Sequence, residues 1–346
     1  MNESLRDYIP GQDEAAVAEL WSRSFGNTAG GQTLEWMFRS GAAGPCPRSV
    51  SEVDGKIVAH AGVTALRFRL GDEEVSGGYS VGAMTDPAYR GKGLYARLGA
   101  HLYERLESEG FAFVAGFSNA QSHRLMVGPL GRTPLRPFPW CVRVLRPMGF
   151  VKAVLAGKAG APGPLEVLPE RRGSLSVVPC SLDEERVHAL WNRVAPTVRV
   201  GAVRDLEFNA SRFGTRPEAG YRALAVEKGG QFAAWAVHRT ISLRRQCATF
   251  VVDLQVAPGE RESGRVLLEA LARTARKHGA TLLSALLPGE GEAREALRGS
   301  GFWQIPEPLH PQLIRFSVRG LGGHCDSSLL KDWGAWQLSW ADTDVV

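Results

Sequence analysis

The segment from Val81 to Leu98, VGAMTDPAYRGKGLYARL, constrains this chain more than any other. An apolar run ends at Asp86-Pro87, and after a short turn Arg90-Gly91-Lys92-Gly93 opens a stretch with apolar residues at helical spacing. A strand that feeds a helix through two glycines lets backbone N–H groups converge with no Cβ in the way. The helix start adds N–H groups of its own. Such a turn either just starts a helix or cradles a phosphate, and Arg90 and Lys92 put positive charge where a phosphate would lie. Gly91, Gly93 and Ala96 also satisfy the dinucleotide spacing GxGxxA. That reading loses, because Asp86 to Gly91 intervene after the strand and the next apolar strand, FAFVAG at Phe111 to Gly116, ends without an acid for a ribose.

Around this segment the apolar period alternates between 3.6 and 2. Asp13 to Phe25 predicts an amphipathic helix and Thr33 to Phe38 a second short one. Ser49 to Val53 and Lys56 to Leu70 predict a hairpin about Asp54-Gly55, followed by a strand over Gly78 to Thr85, a long helix over Gly93 to Ser108 and a buried strand at FAFVAG. Ser122 to Val127 begins another helix, and Trp140 to Leu145 another strand. The second half repeats this grammar: helix Asp183 to Val194, hairpin Tyr221 to Thr240, strand Thr249 to Val256, helix Arg265 to His278, strand Thr281 to Leu287, helix Ala293 to Gly301. Between the halves, 151–173 is rich in Gly, Ala and Pro and reads as a linker. The expected division is 1–150, linker 151–173 and 174–346, two copies of one α/β fold.

Composition narrows the class. With 346 residues, 44% hydrophobic and 22% charged, the chain can bury a large core. No run of 18 uncharged apolar residues predicts a membrane span, and Met1 to Glu19 lacks the apolar core of a secretory signal. The five cysteines are scattered, never in CxxC spacing, so neither a disulfide framework nor a zinc site is expected and a cytoplasmic location fits. The net charge of +5 is mild, and no dense basic run with interleaved aromatics points to nucleic acid.

TDPAYRGKGLYARL resembles motif A of the GCN5-related N-acetyltransferase (GNAT) family, in which an Arg or Gln is followed after two residues by Gly and, after one more, by Gly or Ala. Arg90 and Gly93 hold the first two places, whereas Tyr95 stands at the small residue's place. With the element order, the resemblance covers Leu5 to Leu145. It implies two tandem GNAT-like domains, each a mixed, mostly antiparallel sheet flanked by helices, the second degenerate because VAPGERESGRVLLEAL lacks the motif. It further implies an N-acetyltransferase moving an acetyl group from acetyl-CoA to a primary amine of a small molecule, an amino sugar or a polyamine-like acceptor. A non-catalytic acyl-CoA-binding or regulatory module, a protein-lysine acetyltransferase and an aminoacyl or peptidoglycan-type transferase stay open. No metal is implied, and homo-oligomerisation stays open.

By the resemblance, Ala83, Met84 and Thr85 pair with the pantetheine arm, and backbone groups from Gly91 through Lys92, Gly93, Leu94, Tyr95 and Ala96 hold the pyrophosphate, with Arg90 setting the turn. Ser118 and Asn119 match the cofactor-contacting place of motif B, and Asn119 also suits a helix N-cap. An alkylamine with a pKa of about 10.4 needs a base or a desolvating pocket before it can attack. The family's proton-donating Tyr would fall at Val127 or Met126, and neither can donate. His123 is a candidate for proton transfer, set against a plain surface histidine. Tandem GNAT aminoglycoside acetyltransferases place their C-terminus in the first domain's cleft, which by analogy makes Asp342, Asp344 and the Val346 carboxylate base candidates. Trp36, Phe38 and Tyr79 are the acceptor-site candidates, set against core packing.

Overall fold

The computed structural model describes residues 3–26, 30–39, 41–156, 165–243, 246–286, 289–310, 313–325 and 327–344. The chain divides into two compact units, Met1–Pro137 with Gln312–Asp332, and Phe138–Pro311 with Trp333–Val346.

The first unit runs β1 (Glu3–Asp7), α1 (Glu14–Phe25), α2 (Gly30–Arg39), β2 (Arg48–Val53), β3 (Lys56–Leu70), β4 (Glu73–Thr85), α3 (Leu94–Ser108), β5 (Phe113–Ser118), α4 (Ala120–Val127) and β6 (Thr133–Pro137). Its strands lie in the order β1-β2-β3-β4-β5, then the strand Arg315–Gly320, then β6. The β4–β5 pair is parallel and the other pairs are antiparallel. Asp54 and Gly55 both adopt positive φ, 49° and 78°, which is the primed turn that matches strand twist and closes the β2–β3 hairpin. The buried face of α3, Leu98, Leu102, Tyr103 and Leu106, packs on Ala59, Ala61, Val63 and Ala65 of β3. Each of these leucines contributes roughly 1.5–3 kcal/mol by leaving water. On the opposite face Val17 and Leu20 of α1 and Leu34 of α2 pack with Val50, Ile57 and Met84.

The second unit repeats the order. Helix Glu185–Val194, hairpin Arg222–Lys228/Gln231–Leu243, strand Gln246–Val256, helix Arg261–Lys277, strand Leu282–Leu286 and helix Glu292–Gly299 follow one another. Its sheet runs Trp303–Gln304, Trp140–Val144, Leu282–Leu286, Gln246–Val256, Gln231–Leu243, Arg222–Lys228, Leu175–Cys180, Glu170–Arg172. The fold is therefore two mixed, mostly antiparallel sheets flanked by helices.

The sheets do not follow the division at residue 150. Trp140–Val144 is a strand of the second sheet, antiparallel to Leu282–Leu286. In turn, Arg315–Gly320 lies in the first sheet, antiparallel to both β5 and β6. In each unit the slot beside the short parallel strand is thus filled by a segment remote in sequence. Local composition cannot foresee this, because an apolar run pairs with whichever edge is open. The expected linker also starts as a helix, Pro147–Ala156, and ends in the strand Glu170–Arg172; 157–164 fall outside the described residues.

A fragment ending at residue 150 should therefore fail to fold cooperatively. It loses the partner of β5, and an unpaired strand edge invites aggregation. Solubility and thermal unfolding of the fragment test this, and a sharp transition near that of the full chain would refute it.

Candidate functional site

The pairing of β4 with β5 is short. Gly77, Gly78 and Tyr79 pair with Phe113, Val114 and Ala115, after which both strands continue without each other, β4 to Thr85 and β5 to Ser118. A wedge opens between them. On the β3 side of β4 the register shifts between His60 and Gly62, and Gly82 at φ +62° forms the bulge. Arg48 Nε donates to His60 Nε2 at 3.1 Å, so Nδ1 carries the proton and donates to the Gly82 carbonyl at 2.7 Å. The Arg48 guanidinium itself lies 3.5 Å from the Tyr8 ring centroid and 4.3 Å from that of Phe38. This stack holds the bulge, and the bulge re-aims Ala83 to Thr85.

Beyond Thr85 the chain turns on Asp86. Its buried carboxylate accepts from Ala88 N–H at 3.0 Å, from Arg23 at 2.9 Å and from Lys56 at 3.4 Å. Burial alone would raise its pKa; the Ala88 N–H, Lys56 and Arg23 outweigh that and hold it below the usual carboxylate range. Arg90 folds back, donating from Nε to the Thr85 carbonyl at 3.1 Å and from Nη2 to the Ser24 carbonyl at 3.4 Å. Gly91 and Gly93 stand at φ +78° and +72°, the left-handed region that side chains disfavour. Gly93 caps α3, so the N–H groups of Leu94 and Tyr95 have no intrahelical partner. Lys92 Nζ sits 4.9 Å over the Tyr89 ring.

The wedge and this loop enclose a cavity of about 380 Å³. Ala83, Met84 and Thr85 form one wall; Tyr89, Arg90, Gly91, Gly93, Leu94, Tyr95 and Ala96 form the base; Asn119, Gln121, Ser122, Leu125 and Met126 of α4 form the other wall, with Ser24 and Phe25 at the rim. Its size lies within the range of small-molecule sites, and the helix start supplies N–H donors beside two cations. Residues 7–123 match the acetyltransferase (GNAT) domain. No characterised protein matches the chain closely in sequence. Among the many solved structures that share its fold, three illustrate it. One is a conserved Enterococcus faecalis V583 protein described as a probable N-acyltransferase (9% identity, TM-score 0.60, covering 93% of this chain and 73% of that one). Another is a GCN5-related N-acetyltransferase from Anabaena variabilis (10%, 0.62, 92% and 72%). The third is the Saccharomyces cerevisiae N-myristoyltransferase with bound myristoyl-CoA (11%, 0.59, 91% and 82%).

The structure sorts the residues singled out in the sequence. Ala83, Met84, Thr85, Arg90, Gly91, Gly93, Leu94, Tyr95, Ala96 and Asn119 line the cavity; Lys92 and Ser118 do not. Tyr95 packs its ring against the α3–β3 core, leaving the hollow open. The Asn119 side chain caps α4, accepting from the N–H groups of Gln121 and Ser122 at 3.0 Å each. Ser118 Oγ lies 3.1 Å from His123 Nδ1 and 3.3 Å from the Arg315 carbonyl. Burial, then the Arg315 charge, lowers the His123 pKa. His123 lies off the cavity lining. Trp36 and Tyr79 are buried, Tyr79 edge-on to Phe68 at 5.3 Å, and Phe38 stacks on Arg48. These three aromatics pack in the core of the unit, which displaces the acceptor role expected of them. Gln121, Ser122 and Leu125 were not singled out in the sequence, although they share one helical face with Asn119; Met126 was named only as the place of the missing proton donor.

The C-terminal segment packs into the second unit. Asp342 is buried, its Oδ2 2.6 Å from Arg204 Nη2 and accepting from the Ser339 N–H at 2.7 Å. Trp340 stands edge-on to Trp140 and Phe250, at 5.2 and 5.3 Å. Ser339 Oγ donates to Asp253 at 2.8 Å. A carboxylate so engaged anchors its own unit, which replaces the base role expected for Asp342. Asp344 is exposed, and Val346 lies outside the described residues. Among the described residues no cluster of His, Cys, Asp and Glu suits a metal, and no helix is long and apolar enough to cross a membrane.

His60 carries a pH prediction. Burial, then the Arg48 charge, pushes its pKa down to about 3, whereas an unfolded histidine titrates near 6.5. The folded form therefore stays neutral while the unfolded form takes up a proton. Stability is complete above about pH 6.5 and declines as pH falls toward 3, by about 2 kcal/mol at about pH 5 from this group. Urea unfolding of wild type and His60→Gln across this window should show a shallower decline in the variant.

Proposed function

We propose that the first unit is an acetyl-CoA-dependent N-acetyltransferase site acting on a primary amine of a small molecule. One observation carries the proposal: the β4–β5 wedge opens beside the Gly91–Gly93 loop, so an elongated thioester with a diphosphate at one end meets complementary chemistry along its length. The fit rests on N–H groups without internal partners at the start of α3, on Arg90, which pairs with no carboxylate among the described residues, and on a hollow that Tyr95 leaves open.

Bound there, acetyl-CoA supplies an activated acyl carbon. The chain's residues bind and orient it. The loop from Gly91 to Ala96 donates to the diphosphate, and helix α3 adds the favourable end of its dipole. The free edge of β4 at Ala83 and Met84 offers backbone groups to the pantetheine amides, while Asn119 keeps α4 in place as the facing wall. His123, kept neutral by its surroundings and oriented by Ser118, is the proposed proton acceptor near this wall. An amino sugar or a polyamine-like molecule is the proposed acceptor. Met126 and Val127 carry no transferable proton, and this favours a second reading, an acyl-CoA-binding regulatory module.

The second unit is proposed to bind no coenzyme A. At its corresponding turn the Gly259 N–H donates to Glu292 at 3.2 Å, and Glu260 is held by Lys228 at 2.7 Å. On this reading the Glu292 carboxylate takes up a backbone donor that a phosphate would need.

Two measurements test these assignments. Calorimetry should show one acetyl-CoA per chain, with Gly93→Val weakening binding at least tenfold, since a β-branched residue at φ +72° costs of order 1–3 kcal/mol. Thiol release against a panel of small amines should proceed in the wild type and slow about 10²-fold in His123→Gln. Binding without turnover of any amine would favour the regulatory module, and no binding would end both readings.

A further inference from the structure

The apex of the wedge holds a buried cation. The first residues past the last β4–β5 pair are Ser80 and Gly116, and the Arg132 guanidinium sits between them. Arg132 is only 3% exposed. Its Nε donates to Tyr103 Oη at 2.7 Å and its Nη2 to Ser80 Oγ at 2.5 Å. Neither partner is an acid, and among the described residues no carboxylate pairs with it. Its Nη1 lies 2.9 Å from where a Cβ on Gly116 would stand, so a larger residue there would push the guanidinium aside. The backbone N–H of Arg132 donates to the carbonyl of Met126, a residue of the cavity wall, at 3.0 Å. The Arg132 backbone is thus tied to that wall, while its guanidinium reaches the apex at Ser80, off the lining itself. Along β4, Ser80 precedes Ala83 by three residues, across the bulge at Gly82.

A buried charge without a counter-charge is costly, and a structural plug needs none. A leucine in this place would close the wedge more cheaply, beside the apolar cluster that contains Tyr103 and Met126. What a cation does that an aliphatic plug does not is repel an apolar chain. An alkyl tail entering the apex would either displace the guanidinium from Ser80 and Tyr103 or press against it without solvating it.

We propose that Arg132 is a specificity-determining residue that closes the inner end of the acyl site and restricts the donor to short acyl chains. This rests on the first unit being the coenzyme A site. It excludes the fatty acyl thioesters that the same fold accommodates in the myristoyl-CoA-bound neighbour.

The test needs no acceptor. Coenzyme A and its S-ethyl, S-butyl and S-octyl thioethers are titrated by calorimetry into the full chain, wild type and Arg132→Leu. The wild type should bind coenzyme A and the S-ethyl compound comparably, and the S-octyl compound at least tenfold more weakly. Arg132→Leu should keep its affinity for coenzyme A and gain at least tenfold for the S-octyl compound. Wild type binding all thioethers equally would overturn the proposal, whatever the variant does. So would a folded Arg132→Leu with unchanged ranking; should that variant fail to fold, Arg132→Met gives the same comparison. Absence of coenzyme A binding in the wild type would instead sink the donor-site reading beneath it.

Discussion

The parting of two parallel strands governs the first unit. β4 and β5 share only three residue pairs, and everything that makes a site follows from their separation. A continuous ladder would have buried the ends of both strands in the sheet. The separation leaves the backbone of Ala83 to Thr85 facing a hollow, places α4 as the far wall and creates an apex that must be filled. Unpaired strand backbone is costly in a core, so the wedge persists only because surrounding groups hold its two arms. On the β4 arm these are His60, Arg48 and the bulge at Gly82; on the β5 arm they are Ser118, His123 and the strand Arg315–Gly320.

The two units illustrate how one architecture can carry opposite electrostatics. In the first, the turn before the long helix brings glycines, Arg90 and Lys92, and Gly91, Gly93 and Arg90 line a cavity. In the second, the Gly259 N–H of the corresponding turn donates to Glu292, and Glu260 pairs with Lys228. That unit's buried charges, Arg204, Asp253 and Asp342, serve to fasten its own C-terminal segment. In the first unit Arg90 lines a cavity, whereas Arg204, Asp253 and Asp342 of the second are paired with one another.

Much of the fold was legible because hydrophobic period and turn chemistry are local. The Asp54-Gly55 hairpin, the Gly93 start of α3 and the Asn119 cap of α4 each depend on residues a few positions apart. The glycine loop was legible for the same reason, and it led to most of the residues that line the cavity. The misjudged residues share the opposite trait. Trp36, Phe38 and Tyr79 are aromatic residues on amphipathic segments, and sequence cannot say whether such a ring faces a pocket or the core. Asp342 looked like a free acid in a tail; its partner Arg204 lies 138 residues away.

By itself, then, the sequence determined the repeated order of helices and strands, the left-handed glycines of the loop and the cationic, glycine-rich turn at one helix start, all of which arise within a few residues of chain. Only the tertiary structure decided which strands pair, where β4 and β5 separate, and that Arg132 stands at the apex between Ser80 and Gly116. Those outcomes depend on non-local contacts: an open sheet edge accepts any suitable strand, and a side chain gains a role only from the neighbours that folding brings to it.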